Sequence, residues 1–128
     1  MSFNIYVNDA ECPHCGRSGG YHANIANVTH YINSMVEKVF EGAGLRGVTA
    51  KRKDSGYEAR SWGRFHGHSY EDVFRWAVAM GAWFDEHEVE LEPMNPPSGW
   101  GSTKCIRRVL TAIIRADAPP NAVVEVSG

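Results

Sequence analysis

The strongest constraint on the fold is a long amphipathic pattern that begins at residue 69. The segment Ser-Tyr-Glu-Asp at residues 69–72 resembles a capping box, with Asp where Glu is usual. One face of the segment that follows carries a stripe at helical spacing, made of Val73, Trp76, Ala77, Met80, Trp83, Phe84 and His87. A helix with such a broad aromatic stripe needs other elements to cover it, so the rest of the chain has to supply them.

Two more helices are predicted from the same periodicity. In residues 30–42 one face carries Ile32, Met35, Val36, Val39 and Phe40. We expect Thr29 or Asn27 to cap the start of this helix, and Gly42 or Gly44 to end it in a left-handed conformation. A third helix is predicted to start at Ser102 or Thr103 and to end before Pro119, with an apolar face made of Ile106, Val109, Leu110, Ile113 and Ile114.

Three segments have the patterns of strands. Residues 3–7 alternate apolar and polar side chains, and residues 122–126 are rich in β-branched side chains and follow a Pro-Pro-Asn turn. We predict that these terminal strands pair. Residues 48–62 are predicted to form a hairpin with strands at 48–53 and 57–62. The sequence therefore predicts one α+β domain over residues 1–128, with three main helices packed against a small antiparallel sheet of the terminal strands and a hairpin.

Composition excludes several classes of protein. The 128 residues include 43% hydrophobic ones, which is ample for a core and excludes a disordered chain. No apolar run reaches the ~20 residues that cross a bilayer, so we expect no membrane protein. The N-terminus lacks the features of a signal peptide, and three cysteines are an odd count, so we expect a cytoplasmic protein without a disulfide framework.

Charge is distributed unevenly, although the net charge is only −2. Residues 46–64 and the third helix are basic, whereas residues 71–92 are acidic. One interpretation is that these are solvated faces that pair between elements. The other is a basic groove between the hairpin and the third helix that attracts an anion. Because the chain as a whole is slightly acidic, we do not expect nucleic acid as a partner.

The most specific short motif is CPHCG at residues 12–16, in which two thiols stand two residues apart. This is half of a structural zinc site. The predicted ligands are Cys12, Cys15, His14 and His30. The alternatives are His22 nearby, His66 or His68 from further along the chain, and a pair of ligands from each of two chains. Cysteines without a metal and a redox pair are the alternatives that the motif leaves open.

A second set of histidines suggests a different chemistry. His66 and His68 could face one metal, and with Asp85 and His87 they would resemble a hydrolytic site. This predicts a metal-dependent hydrolase or nuclease. The alternative is that all three histidines are structural, because His68 precedes a helix cap and His87 lies on the apolar stripe.

The loop PPSGWGS at residues 96–102 runs directly into the third helix. Its tryptophan could stack on a ligand, the free amides of the helix start favour an anion, and arginines follow one turn later. Asparagines precede the first helix and could turn their amides to the same ligand. The predicted ligand-binding residues are Trp100, Gly99, Gly101, Asn24, Asn27, Arg107 and Arg108. The alternative is that the tryptophan fills the core.

The order of these motifs resembles a family of small proteins encoded by bacteriophages and prophages, notably those of actinobacteria. In that family a CPxCG opening precedes an Asn-(Ile/Val/Leu)-Thr helix start, which here is residues 27–29, and a Pro-x-Asn-Gly-Trp-Gly loop precedes a short final strand. This chain departs from the pattern at Ser98, where Asn is common, and in a longer segment at residues 46–65. The resemblance implies a phage accessory protein in the host cytoplasm.

These observations favour a binding protein over an enzyme, since the sequence offers no convincing nucleophile–base pair. We expect it to bind a host protein or a small anionic ligand such as a nucleotide. Its role would be to take over host physiology or to counteract the host's defence systems. Structural zinc and a homodimer are further predictions. The metal-dependent hydrolase remains the alternative function.

Overall fold

The computed structural model describes residues 3–8, 22–51 and 60–127. Along the chain the described elements are β1 (Phe3–Asn8), β2 (His22–Val28), α1 (Asn33–Gly42), α2 (Tyr70–Leu91), α3 (Thr103–Arg115) and β3 (Val123–Ser127). Two short 3-10 helices, Ser61–Phe65 and Glu92–Met94, stand before and after α2. The predicted α+β class and its three main helices are confirmed.

The sheet has β1 in the middle, antiparallel to both β2 and β3. Every second residue of β1 is buried, namely Phe3, Ile5 and Val7, as its alternating sequence predicts. The register with β3 places Asn4 opposite Ser127 and Asn8 opposite Val123. The predicted pairing of the terminal strands is therefore confirmed.

The third strand is β2 and not the predicted hairpin. Residues 52–59 of that hairpin lie outside the described residues. At its described ends the hairpin prediction is wrong, because residues 48–50 form no strand and Ser61–Phe65 is a 3-10 helix. The pattern of β2 escapes a search for alternation because a bulge interrupts it: Ile5 pairs with Ala26 and Tyr6 with Asn24, so Ile25 is an extra residue.

The predicted position of the helix start is correct in two of three cases. Ser69 caps α2 as predicted, because its Oγ accepts a hydrogen bond of 3.2 Å from the amide of Asp72. The start of α3 also agrees, with Ser102 at the N-cap position, but the Ser102 side chain makes no capping hydrogen bond. The cap predicted for α1 is wrong, because Ile32 occupies the N-cap position without a side-chain hydrogen bond and the Thr29 hydroxyl donates to Asn27.

One hydrophobic cluster joins the buried face of the sheet to the three helices. From α2 it receives most of the predicted stripe, including Val73, Met80 and Phe84, while Trp76 and Trp83 are half-buried. The 3-10 helix before α2 adds Trp62 and Phe65, both fully buried, and their rings lie 6.1 Å apart. The core therefore depends on a segment of which the hairpin prediction covered only residues 61 and 62, as the end of a strand.

Alanine substitutions at two helical glycines should change the stability of the protein in opposite directions. A Cβ on Gly42 would lie 2.0 Å from the Trp83 ring, whereas a Cβ on Gly81 would have no neighbour within 4 Å. We expect Gly81→Ala to raise the free energy of unfolding by about 0.5–1 kcal/mol through helix propensity, and Gly42→Ala to lower it by about 1–3 kcal/mol through overpacking. Urea denaturation of both variants measures the difference, and a stabilised Gly42→Ala would show that the Trp83 ring moves aside freely.

Candidate functional site

The loop before α3 presents its tryptophan to solvent. The amide of Gly99 donates to the carbonyl of Pro96 over 2.9 Å, and the amide of Trp100 donates to the Ser98 hydroxyl over 3.3 Å. These bonds form a tight turn that leaves the Trp100 side chain 65% exposed. The alternative in which this tryptophan fills the core is therefore wrong, and its indole is available as a surface platform.

Trp100 stacks on His30, which belongs to the segment between β2 and α1. The two ring centroids lie 4.3 Å apart with 24° between the planes. Close approach of the two backbones makes this contact possible, because a Cβ on Gly101 would lie only 3.1 Å from the Cα of Tyr31. The glycine after the tryptophan thus brings the loop against residues 30–31.

Two cavities adjoin this stack, and together we call them the Trp100 groove. The larger, of about 370 Å³, is lined by Thr29, His30, Tyr31, Asn33 and Trp100. The smaller, of about 200 Å³, shares three of these residues and is lined by Asn27, Thr29, His30, Trp100, Gly101, Cys105 and Arg108. The structure therefore brings together Trp100, Gly101, Asn27 and Arg108 from the predicted ligand-binding set.

Arg108 supplies the positive charge of the Trp100 groove. Its Nη2 donates to the Asn27 carbonyl over 3.2 Å and contacts the Cys105 sulfur at 3.9 Å. The Cys105 thiol in turn donates to the His30 carbonyl over 3.3 Å. Among the residues that line the two cavities in the described part of the chain there is no carboxylate. The groove can therefore offer a stacking ring and a cation to one ligand.

The remaining predicted ligand residues are placed differently. Gly99 belongs to the loop without lining either cavity, and Asn24 is an exposed residue of β2 outside the groove. Asn27 lines the smaller cavity, but its side-chain Nδ2 donates a hydrogen bond of 2.7 Å to Asn4 Oδ1. Its backbone carbonyl is the group that accepts from Arg108.

Arg107 points to α2 and not to the loop. Its guanidinium pairs with Glu88 at 2.7 Å and with Asp85 at 2.9 Å. Hydrogen bonds to these two carboxylates, the one from Glu88 first, raise the pKa of Arg107 above its ordinary value. Its role is thus to join α3 to α2 on the protein surface, and Arg108 is the arginine that serves the groove.

The amides at the start of α3 are partly used by the protein itself. Thr103 donates its amide to Asn95 Oδ1 over 2.9 Å, and Cys105 donates its amide to the Ser102 carbonyl over 2.9 Å. An anion bound to the helix start would compete with these bonds. The attraction for an anion therefore rests on Arg108 more than on the helix amides that the sequence suggested.

Of the four predicted zinc ligands, Cys12, His14 and Cys15 lie outside the described residues. His30 is described, and its ring is exposed and stacked on Trp100. Within residues 3–8, 22–51 and 60–127, no three His, Cys, Asp or Glu side chains are grouped to hold a metal ion. Zinc at the CPHCG motif stays a prediction.

The residues of the predicted hydrolytic site each have a structural partner. His66 is buried and accepts a hydrogen bond at Nδ1 from the Val126 amide over 2.9 Å. His68 bonds the Thr49 carbonyl, and His87 donates from Nδ1 to the Trp83 carbonyl over 2.7 Å. Asp85 pairs with Arg107. The structure therefore does not gather these side chains around one metal position.

Sequence reasoning missed several residues of the groove. It assigned His30 to a metal and Thr29 to a helix cap, and it did not select Tyr31, Asn33 or Cys105 as ligand-binding residues. The contacts of these residues depend on how residues 29–33 pack against α3. The apolar spacing along α1 or α3 does not predict that packing. The Gly-Trp-Gly motif was the local indication of the groove, because glycines that flank a tryptophan permit close approach of another backbone.

Comparison of the chain with protein-family models, with curated proteins and with solved structures found no match in any of the three. Among the described helices, none combines the length and the apolar character that crossing a bilayer requires. The functional argument therefore rests on the geometry of the Trp100 groove.

Proposed function

We propose that this chain is a binding protein whose Trp100 groove takes a small ligand with a planar ring and an anionic group, of which a nucleotide is the simplest example. One observation carries the proposal: an indole that is 65% exposed stands in the same groove as the guanidinium of Arg108. No catalytic group is needed for this role.

The stack on His30 supports the ring part of the proposal. An exposed tryptophan that is held in a defined position offers a large, flat ring to a ligand. The 4.3 Å stack fixes the indole plane, and a ligand ring on its other face would meet a platform that is already oriented. Stacking of this kind is worth about 1–3 kcal/mol for each base.

Arg108 supports the anionic part. Its bond to the Asn27 carbonyl holds the guanidinium at the groove, and the lack of carboxylates among the described lining residues leaves that charge uncompensated there. Charge-assisted hydrogen bonds from arginine to phosphate are among the stronger polar contacts in proteins. The larger cavity adds Asn33 and Thr29 as polar groups for a sugar.

The resemblance to phage-encoded proteins extends the proposal to a biological setting. It supports a small accessory protein that acts in the host cytoplasm on host physiology or host defence. In that setting a nucleotide is a fitting ligand, and a host protein resting on the exposed Trp100 is the competing occupant.

Thermal unfolding with matched probes tests the proposal. ATP carries both a ring and an anion, adenosine carries only the ring, and pyrophosphate carries only the anion. We expect ATP to stabilise the protein most, since a ligand at 100 times its Kd adds about 2.7 kcal/mol. Trp100→Ala should weaken the binding of ATP and of adenosine by about tenfold or more. Arg108→Ala should weaken the binding of ATP and leave the binding of adenosine unchanged.

Arg115→Ala is the matched control, because Arg115 is an exposed arginine on the same helix and lines neither cavity of the groove. It should behave as the unchanged protein with all three probes. If none of the probes, nor GTP in their place, stabilises the protein, the small-ligand function is wrong and the host-protein occupant takes its place.

A further inference from the structure

A separate cavity, of about 260 Å³, lies where the start of α2 meets the end of α3. It shares no described lining residue with the Trp100 groove. Most of its wall is apolar and comes from Tyr70, Phe74, Ile114, Ala118 and Pro120. We call it the α2–α3 cleft.

Hydrogen bonds hold the walls of the α2–α3 cleft in place. The Tyr70 hydroxyl donates to the Ile113 carbonyl over 2.6 Å and so joins α2 to α3. The segment after α3 is tied to the start of α2, because Glu71 donates its amide to the Pro120 carbonyl over 3.0 Å. A ligand would therefore meet a preformed cleft and lose little free energy in ordering it.

The electrostatics of the cleft favour a cation. Two exposed carboxylates, Glu71 and Asp117, belong to its lining, and no basic side chain of the described residues does. Asp117 follows the C-terminus of α3, where unpaired carbonyls give a helix partial negative charge. An exposed arginine in the last turn, Arg115, does not line the cleft.

An anion has little to bind here. The first amides of α2 are all engaged by the protein: those of Tyr70 and Glu71 donate to the carbonyls of Ala122 and Pro120, and those of Asp72 and Val73 donate to Ser69. The N-terminus of α2 therefore has no free donors in its first turn for a phosphate or carboxylate. The ionisable side chains that line the cleft among the described residues are the two carboxylates, Glu71 and Asp117, which repel an anion.

The apolar surface extends beyond the cleft. Phe74 is 38% exposed, and Val78, one turn further along α2, is 46% exposed. Residues four apart on a helix lie on the same face, so these side chains prolong the apolar wall. A small amine would leave Val78 uncovered, whereas a polypeptide segment would cover both.

We propose that the α2–α3 cleft docks a polypeptide partner through an apolar side chain that stands next to a lysine or arginine. The apolar side chain fills the space over Tyr70 and Ile114, and the cation pairs with Glu71 and Asp117. This surface is separate from the Trp100 groove, so it does not depend on the nucleotide proposal.

Three acetylated and amidated peptides test the proposal: Gly-Leu-Leu-Lys-Leu-Gly and its forms with Gln or Glu in place of Lys. Each is titrated into the ¹⁵N-labelled protein and followed by amide chemical shifts. We expect saturable shifts confined to residues 70–78 and 114–120, with the Lys peptide binding about fivefold more tightly than the Gln peptide. The Glu peptide should bind least.

The double variant Glu71→Gln/Asp117→Asn should remove the preference for the Lys peptide. Asp117 has a φ of +51°, and asparagine tolerates that conformation, so the variant keeps its backbone. Glu86→Gln/Glu90→Gln removes the same charge from exposed positions further along α2 and should keep the preference. Equal binding of the three peptides, shifts elsewhere, or no saturable shift at millimolar peptide would each overturn the proposal.

Discussion

Replacing Trp62 by alanine should lower the free energy of unfolding by about 3–5 kcal/mol, a large part of the stability of a domain of this size. The side chain is completely buried, and its ring lies 6.3 Å from that of Phe40 and 6.1 Å from that of Phe65. Alanine would leave a cavity among aromatic rings that cannot collapse without moving the 3-10 helix against the sheet. Urea denaturation followed by circular dichroism measures the loss.

Phenylalanine at the same position separates packing from polarity. Among the described residues the buried indole Nε1 of Trp62 has no hydrogen-bond partner, and an unpaired buried donor costs about 1–3 kcal/mol. Trp62→Phe removes that donor while it keeps most of the ring, so we expect less than half of the loss caused by alanine. Trp100→Ala is the control, because that side chain is exposed and its removal should change the stability by about 0.5 kcal/mol or less. Similar losses for Trp62→Ala and Trp100→Ala would contradict the assignment of Trp62 to the core.

The contrast between these two tryptophans marks what periodicity can predict. Along α2 and α3 a repeated spacing and a polar residue at the start specify an element from local sequence alone. Trp62 lies in a five-residue 3-10 helix that is too short to show a period, and the hairpin prediction placed it at the end of the second strand. Its burial is decided by tertiary contacts, and a local pattern does not contain them.

The same reasoning explains β2 and the start of α1. An extra residue at Ile25 shifts the alternation of β2 midway, so neither half is long enough to indicate a strand. Thr29 was a plausible helix cap by residue type, but the strand extends to Val28 and the helix begins at Asn33. Where strand and helix compete for the same residues, the pairing with β1 determines the boundary.

The candidate site divides in a similar way. The Gly-Trp-Gly loop and an arginine one to two turns later were predicted from sequence, since glycine and tryptophan together are unusual in a loop. Which of two adjacent arginines serves the groove was not predictable, because Arg107 and Arg108 differ by one helical step of about 100°. Acidic residues on α2 decide it, as Glu88 and Asp85 bind Arg107 and leave Arg108 on the groove side.

Substitution of Gly101 by alanine should be the most damaging change in the loop, with a loss of about 2–4 kcal/mol. The φ of this residue is +74°, which costs an L-residue about 1–2 kcal/mol, and its Cβ would lie 3.1–3.2 Å from backbone atoms of Tyr31. Backbone cannot move aside as a flexible side chain does. The loop must therefore shift away from residues 30–31, and the stack of Trp100 on His30 should loosen with it.

Gly99→Ala isolates the two causes. Gly99 has almost the same φ, +76°, but a Cβ there would have no neighbour within 4 Å. Gly99→Ala should lower the free energy of unfolding only by the cost of the positive φ, about 1–2 kcal/mol. It should also keep the affinity for ATP better than Gly101→Ala does. Urea denaturation gives the first comparison and ATP titration the second. Equal losses in stability would mean that the contact with Tyr31 is easily relieved, and equal affinities would mean that the position of Trp100 against His30 does not matter for the ligand. A larger loss of both at Gly101 than at Gly99 would instead link the backbone contact directly to the binding platform.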